Sequence, residues 1–244
     1  ATSKALKIYL KQFLSDPRVV EIPRLIWWFI LNGIILNIRP KRSAKLYQSV
    51  WTDRGSPLLF HTVDQANAIQ EKLQQEFGDR KEVIVSFAMR YGQPSVESEL
   101  EKLQQQGAWK ILVLPLYPQF STTTTASSLD AWQKAGGPAA RAICCYPTES
   151  GLVQAHADSI FQVWQDNGSP ENVRVLFSAH GLPEKVVEGG DPYQWQVEQT
   201  CAAVFEKLPQ QWEKQICYQS RVGPLKWIGP PTDQVIEQAA KDGK

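Results

Sequence analysis

The sequence predicts a parallel α/β protein built as two tandem doubly wound units. Three observations lead there. Apolar runs of strand length alternate with helix-length amphipathic segments from about residue 65 onward. The strand runs are nearly continuously apolar, the pattern of strands buried on both faces of a parallel sheet. No repeat of short period and no low-complexity tract interrupts them.

In chain order, Leu6–Phe13 reads as an amphipathic helix with no strand before it. Val83–Ala88 reads as a buried strand, followed by a helix near Ser95–Gln105. Trp109–Leu116 is the next strand, with a helix from about Thr124 to Lys134. Ala140–Tyr146, Val173–Phe177 and Gln215–Tyr218 continue the strand series. Helices near Leu152–Gln165 and Tyr193–Leu208 lie between them, and a last helix starts near Thr232. The turn-rich Pro147–Gly151 segment marks the join, giving halves of 1–147 and 148–244.

Composition bounds the function. With 244 residues, 43% of them hydrophobic and 21% charged, the chain is globular and long enough for a real core. Lys plus Arg number 26 against 25 Asp plus Glu, so no nucleic-acid footprint is present. No GxGxxG or P-loop pattern follows a strand, which weakens dinucleotide and nucleoside-triphosphate readings. The four cysteines, at 144, 145, 201 and 217, show no zinc spacing. No secretory signal pattern is visible, and a reducing cytosol is the expected location.

Leu25–Leu36 is strongly apolar, broken only by Asn32 and Gly33, and is followed by Arg39, Lys41, Arg42 and Lys45. A membrane span needs roughly 20 apolar residues, more than this run supplies. Two readings remain for it. One is a buried helix; the other is an apolar lip resting on a bilayer or guarding a greasy pocket, with its basic neighbours facing anionic head groups.

The residues fit for chemistry cluster at predicted strand ends, where open α/β sheets bind ligands. His180 closes the Leu176–Pro183 run, and Gly181 and Pro183 turn the chain sharply away from it. A neutral imidazole is both a metal ligand and a base near physiological pH. His61 and His156 fall in helical or linker contexts. Asp191 reads as an N-cap ahead of Pro192, and Glu184 and Glu188 lie near His180 in sequence. Arg90 and Tyr91 end a second strand and suit a planar aromatic ligand bearing carboxylates. Ser121 and Thr122 open a run of hydroxyls at a helix start, able to cap the helix or to bind propionate or phosphate. Trp227 stands among glycines and prolines after the last strand, a place suited to a cavity wall.

Ser178–Pro183 and Cys217–Pro224, with Tyr9–Pro17 and Arg54–Leu58, resemble the ferrochelatase family over nearly the whole chain. The resemblance implies two flavodoxin-like halves with a porphyrin cleft between them. It also implies insertion of ferrous iron into protoporphyrin IX to form haem, with iron as a substrate and no permanently bound cofactor. It casts His180 as the residue that binds the incoming metal and accepts pyrrole protons. Arg90, Tyr91 and Trp227 match positions near the macrocycle, and Leu25–Leu36 matches an apolar lip of the cleft, a peripheral membrane contact. Relative to the family pattern, a first strand and a C-terminal region supplying a glutamate partner for the histidine are missing, so the chain reads as truncated at both ends. The alternatives are an inactive or non-enzymatic porphyrin- or haem-binding fragment, a chelatase for another metal, and, last, a flavin- or nucleotide-binding protein.

Overall fold

A computed structural model describes residues 2–244, apart from the side chain of Asp79. The described residues form ten α-helices and four strands in two compact units. One unit comprises residues up to Val113 together with Ala126–Ala142, and the other Leu114–Thr125 with Ile143–Lys244.

The first unit opens with α1 (Ser3–Leu14), whose N-terminus is capped by the Thr2 hydroxyl accepting from the Ala5 N–H at 3.2 Å. Leu6, Leu10 and Leu14 recur at helical spacing and are buried. Leu10 and Leu14 pack with Leu31 and Leu36 from a long helix interrupted by an irregular turn. That helix runs as α2 (Arg24–Ile30), one π-helical turn (Leu31–Ile35) and α3 (Leu36–Ser49). Pro40 sits inside α3 and lacks an N–H for the helical ladder. The Asn37 amide donates to the carbonyls of Asn32 and Gly33, both at 3.0 Å, and so serves oxygens in the irregular turn. The Trp27 indole donates to the Leu14 carbonyl at 2.6 Å and ties this helix to α1.

The helix therefore has one buried seam and one open face. Leu25 (74%), Ile38 (68%) and Leu46 (66%) are the most exposed of its apolar residues, joined by Ile26, Trp28, Phe29 and Ile34. A wholly buried helix is excluded for Leu25–Leu36. No described helix is long and apolar enough to cross a membrane.

The unit continues with α4 (Pro57–Phe77), α5 (Val96–Gln105), β1 (Leu112–Val113), α6 (Thr125–Lys134, from Ala126 onward in this unit) and β2 (Arg141–Ala142). β1 and β2 pair in parallel over two residues only. Val83–Ala88, predicted as a buried strand, forms no ladder, and its residues alternate between half-buried and exposed. The Gln70 side chain stands in for a neighbouring strand. Its amide donates to the Val83 carbonyl at 2.8 Å, and its oxygen accepts from the Val85 N–H at 2.7 Å. The apolar run supplies extended backbone, but no described strand lies beside it to complete the sheet.

The second unit contains α7 (Ser150–Asp166), β3 (Arg174–His180), α8 (Glu184–Glu188), α9 (Tyr193–Phe205), β4 (Glu213–Gln219) and α10 (Thr232–Lys241). β3 and β4 pair in parallel from Arg174 opposite Glu213 to His180 opposite Gln219. Val153 and Ala157 of α7 meet Val204 and Phe205 of α9 in one core cluster with Leu208 and Trp212. Leu182, Val197, Cys201, Tyr218 and Ile228 form a second. Arg174 bridges Glu213 and Asp242, pinning the strand start to the end of α10. The fold is thus mixed helix and strand with small parallel sheets, as the alternation predicts in class. The β1–β2 ladder is far shorter than the apolar runs around it, whereas β3 and β4 pair over seven residues, more than those runs suggest.

Candidate active site

His180 is the last residue of the β3 ladder, at the C-terminal edge of the parallel pair. Beyond it, the Gly181 N–H donates to the Gln219 carbonyl at 2.8 Å, which holds the two strand ends together for one residue more. A Cβ on Gly181 would lie 3.1 Å from that carbonyl oxygen and 3.2 Å from Cε3 of Trp227. A side chain here would press on the strand end and on the Trp227 ring, each of which would have to give by a few tenths of an ångström. The indole donates in turn to the Val222 carbonyl at 3.1 Å, and Trp227 is half-buried. Ile228 donates to the Leu182 carbonyl at 3.0 Å and Glu184 donates to the Lys226 carbonyl at 3.0 Å, so two backbone bonds dock the post-β4 loop on the post-β3 turn. Ser220 leaves β4 with φ of 71°, a left-handed conformation uncommon outside glycine and often associated with functional loops.

His180 is exposed at the strand end, yet its surroundings still partly desolvate it. That partial desolvation disfavours the charged form and lowers its pKa from the ordinary 6.5. Tyr193, at the start of α9, hydrogen-bonds the His180 backbone, and burial pushes its phenol above 10.0. Glu184 does not face the imidazole as a free base, because it is paired with Lys226 at 2.9 Å; Glu188 is exposed. His61 and His156 lie in α4 and α7, away from any strand end. Among the described residues no three His, Cys, Asp or Glu side chains converge.

Ser121 and Thr122 are held by Asp191. Its Oδ2 accepts from the Ser121 hydroxyl (2.9 Å), the Thr122 N–H (2.7 Å) and the Thr122 hydroxyl (2.7 Å). Its Oδ1 accepts from the Tyr193 N–H at 3.0 Å, a helix-start role close to the N-cap expected for it. Asp191 is buried, and so is Ser121, which is only 1% exposed; Thr122 is half-buried. One carboxylate thus joins the hydroxyl run to the first turn of α9. The sequence marks all three residues, but not this link between positions 70 apart.

Arg90 and Tyr91 belong to the first unit and converge on Asp16. The Arg90 guanidinium is ion-paired with Asp16 Oδ2, and its Nε donates to the Ser127 hydroxyl at 2.6 Å. The Tyr91 hydroxyl donates to Asp16 Oδ2 at 2.8 Å, and the Ser127 hydroxyl donates to the same oxygen at 2.5 Å. The guanidinium lies 4.4 Å from the Tyr91 ring centre. Tyr91 also meets Phe13 edge to face, with centroids 5.3 Å apart. Burial raises the Asp16 carboxyl, but hydrogen bonds from Ser127, Arg18 and Tyr91 and the Arg90 charge outweigh it, leaving the pKa below 3.8. For Tyr91, burial pushes the phenol well above its ordinary value. Asp16 and Ser127 are the polar residues that sequence reasoning missed. The available signal was an aspartate placed just after an amphipathic helix in Ser15-Asp16-Pro17.

These features define a class: a mixed α/β protein with a partly exposed histidine at the mouth of a parallel strand pair, beside a turn covered by a tryptophan. The chain belongs to the ferrochelatase family, whose model matches residues 1–244. It is 48% identical over 242 residues to a ferrochelatase of Idiomarina loihiensis, covering 97% of this chain and 65% of that protein. Against a ferrochelatase of Teredinibacter turnerae it is 47% identical, with 97% and 65% covered. Against that of Hyphomonas neptunium identity is 44%, over 100% of this chain and 68% of the relative. The chain therefore spans 65% of the length of the first two relatives.

Proposed function

We propose that this chain inserts ferrous iron into protoporphyrin IX to form haem, with His180 as the base and the first protein ligand of the iron. The observation that carries the reading is the position of His180 at the end of the β3 ladder, next to Gly181 and the Trp227 ring that covers this turn, with partial desolvation lowering its pKa from 6.5. The names of the relatives support the same reaction.

The chemistry asks for what this mouth offers. Two pyrrole N–H protons must leave while iron sheds water and gains four nitrogens. A neutral imidazole can accept a proton or hold the metal through its lone pair, and cannot do either when charged. Trp227 supplies a flat apolar face suited to a macrocycle. Binding energy spread over such a ring can also bend it and expose the pyrrole lone pairs.

Arg90, Tyr91, Ser121 and Thr122 enter this proposal as porphyrin-binding positions, with a refinement. Arg90 and Tyr91 are spoken for by Asp16, and Ser121 is buried against Asp191. Thr122 is likewise held by Asp191, so the contribution of these residues is to fix the local backbone on which the porphyrin-binding positions stand. The two halves, 1–147 and 148–244, are proposed to be flavodoxin-like, with iron as substrate and no resident cofactor.

The deciding experiment is anaerobic incubation with ferrous iron and protoporphyrin IX, following loss of porphyrin fluorescence and growth of the haem spectrum. Metallation faster than the protein-free rate is the expected result. Porphyrin bound but not metallated would reduce the reading to a binding protein, and no binding would overturn it.

The open face of the Leu25–Leu36 helix extends the proposal to a cytoplasmic protein in peripheral contact with a membrane. Leu25, Ile26, Trp28 and Phe29 are exposed, and Arg39, Lys41, Arg42 and Lys45 follow as exposed cations. Apolar insertion plus cationic attraction is the usual pairing for an interfacial helix. Co-sedimentation is expected with vesicles containing anionic lipid and much less with neutral ones. Replacing Leu25 and Phe29 by serine should abolish it; equal binding by that variant would remove the face from the proposal.

A further inference from the structure

Cys144 and Cys145 are adjacent in sequence, just past β2 and inside the second unit, and their sulfurs lie 3.2 Å apart. Neither is in a disulfide. Cys144 is exposed, whereas Cys145 is half-buried and accepts a hydrogen bond from the Gln196 amide at 3.5 Å. The surrounding backbone is held firmly. The Tyr146 N–H donates to the Pro118 carbonyl at 2.8 Å, and the Thr200 hydroxyl donates to the Pro147 carbonyl at 2.7 Å. Two thiols are thus presented together at the surface on a fixed support, which random encounter would not achieve.

We propose that Cys144 and Cys145 form a reversible oxidation site, converted by a hydroperoxide into a vicinal disulfide and restored by small-molecule thiols. The Cys144 thiolate attacks the peroxide O–O bond, forming a sulfenic acid and releasing hydroxide, which takes up the thiol proton as water. The Cys145 thiol then displaces the sulfenic oxygen as a second water and closes the S–S bond. Two thiols lose two electrons and two protons, and hydrogen peroxide becomes two molecules of water. Exposure assigns Cys144 as the sulfur attacked first. Burial, with Cys144 as neighbour, raises the Cys145 thiol above 9.0, which suits a resolving sulfur that reacts only once its partner is activated.

Reversibility follows from the spacing. Adjacent Cα atoms are about 3.8 Å apart across a trans peptide, short of the roughly 4.4 Å lower limit of ordinary disulfides. Such a bond is strained and readily reduced, the property of regulatory and not structural disulfides.

The site also has a route to the proposed substrate loop. Gln196, which donates to Cys145, uses its oxygen to accept from the Phe120 N–H at 2.7 Å. Phe120 immediately precedes Ser121 and Thr122, the residues that Asp191 holds. Closing the S–S bond draws the Cys145 sulfur toward Cys144 and off Gln196, loosening the anchor of Phe120.

The test needs no catalytic assay and does not depend on the proposed activity. The full chain is treated with hydrogen peroxide, alkylated and digested with trypsin. Peptide 142–174 carries only these two cysteines. Expected is a peptide lighter by two hydrogens that takes up no alkylating agent and regains two sites after glutathione. Cys145→Ser should instead leave Cys144 as a sulfenic acid trapped by dimedone. The proposal is overturned if Cys144 goes to sulfinic acid while Cys145 stays alkylatable, or if Cys145→Ser leaves the product unchanged. Hydrogen exchange at Phe120 and Thr122 should rise on oxidation and fall back on reduction; unchanged exchange would overturn the link to that loop.

Discussion

On the proposed reaction, replacing His180 by alanine is expected to lower the rate of iron insertion by about 10²–10⁴-fold, the usual worth of a positioned general base. The fall should appear in kcat, with the KM for porphyrin little altered, because the proton transfer and metal hand-over belong to the reacting state and not to ground-state binding. The imidazole is solvent-exposed at a strand end, so its removal should leave the circular dichroism and thermal midpoint nearly unchanged. The pH dependence supplies a separate check. The protein behind His180 lowers its pKa from 6.5, and the base form persists above that lowered value. The acid limb of kcat/KM should therefore lie below pH 6.5 and vanish in the variant. A limb at or above 6.5, or an alanine variant with wild-type kcat, would show that another group takes the protons.

The legible part of this site is the part written in contiguous residues. A strand ending in histidine and turned by Gly181 and Pro183 is a local statement, and the structure places His180 as the last rung of β3. Helix positions are equally local, since periodicity, Ser95 and Pro192 mark them, and α5, α6, α7 and α9 begin within two residues of their expected starts. Ladders are not local. Val83–Ala88 has the composition of a buried strand, yet whether it pairs depends on what lies beside it, and there the Gln70 side chain takes the bonds. The same limit hides polar networks. Asp16 and Arg90 are 74 positions apart, and Asp191 and Ser121 are 70 apart. Nothing in either pair's neighbours announces the other. Reading Arg90 and Tyr91 as free groups at a sheet rim follows from their position after an apolar run; finding them bound to a buried carboxylate requires the packing of α1 against the chain that follows it.

That buried carboxylate carries the second large effect. Asp16 is 6% exposed and accepts from Arg90, Tyr91, Ser127 and the Arg18 N–H at once. Asp16→Ala would leave the largely buried Arg90 guanidinium and two hydroxyls without their acceptor. Removing one member of a buried ion pair costs about 3–5 kcal/mol. Arg90 retains 21% side-chain exposure, which lets water relieve part of the charge and favours the lower end, about 3 kcal/mol. At roughly 2–4 °C per kcal/mol for a chain of this size, the thermal midpoint should fall by about 10 °C. Asp16→Asn, which keeps an oxygen for Tyr91 or Ser127 but loses the charge, should cost less. The acid dependence separates this network from a simple packing defect. The folded carboxyl titrates below 3.8, so its stabilising contribution is complete above that value and is lost as pH falls through the lower folded value. Wild type should therefore exceed Asp16→Asn by a constant margin above pH 4 and converge with it in stronger acid. A margin unchanged down to pH 2 would mean that the loss arises from shape alone, and that the charge of Asp16 does not hold Arg90 and Tyr91 in place.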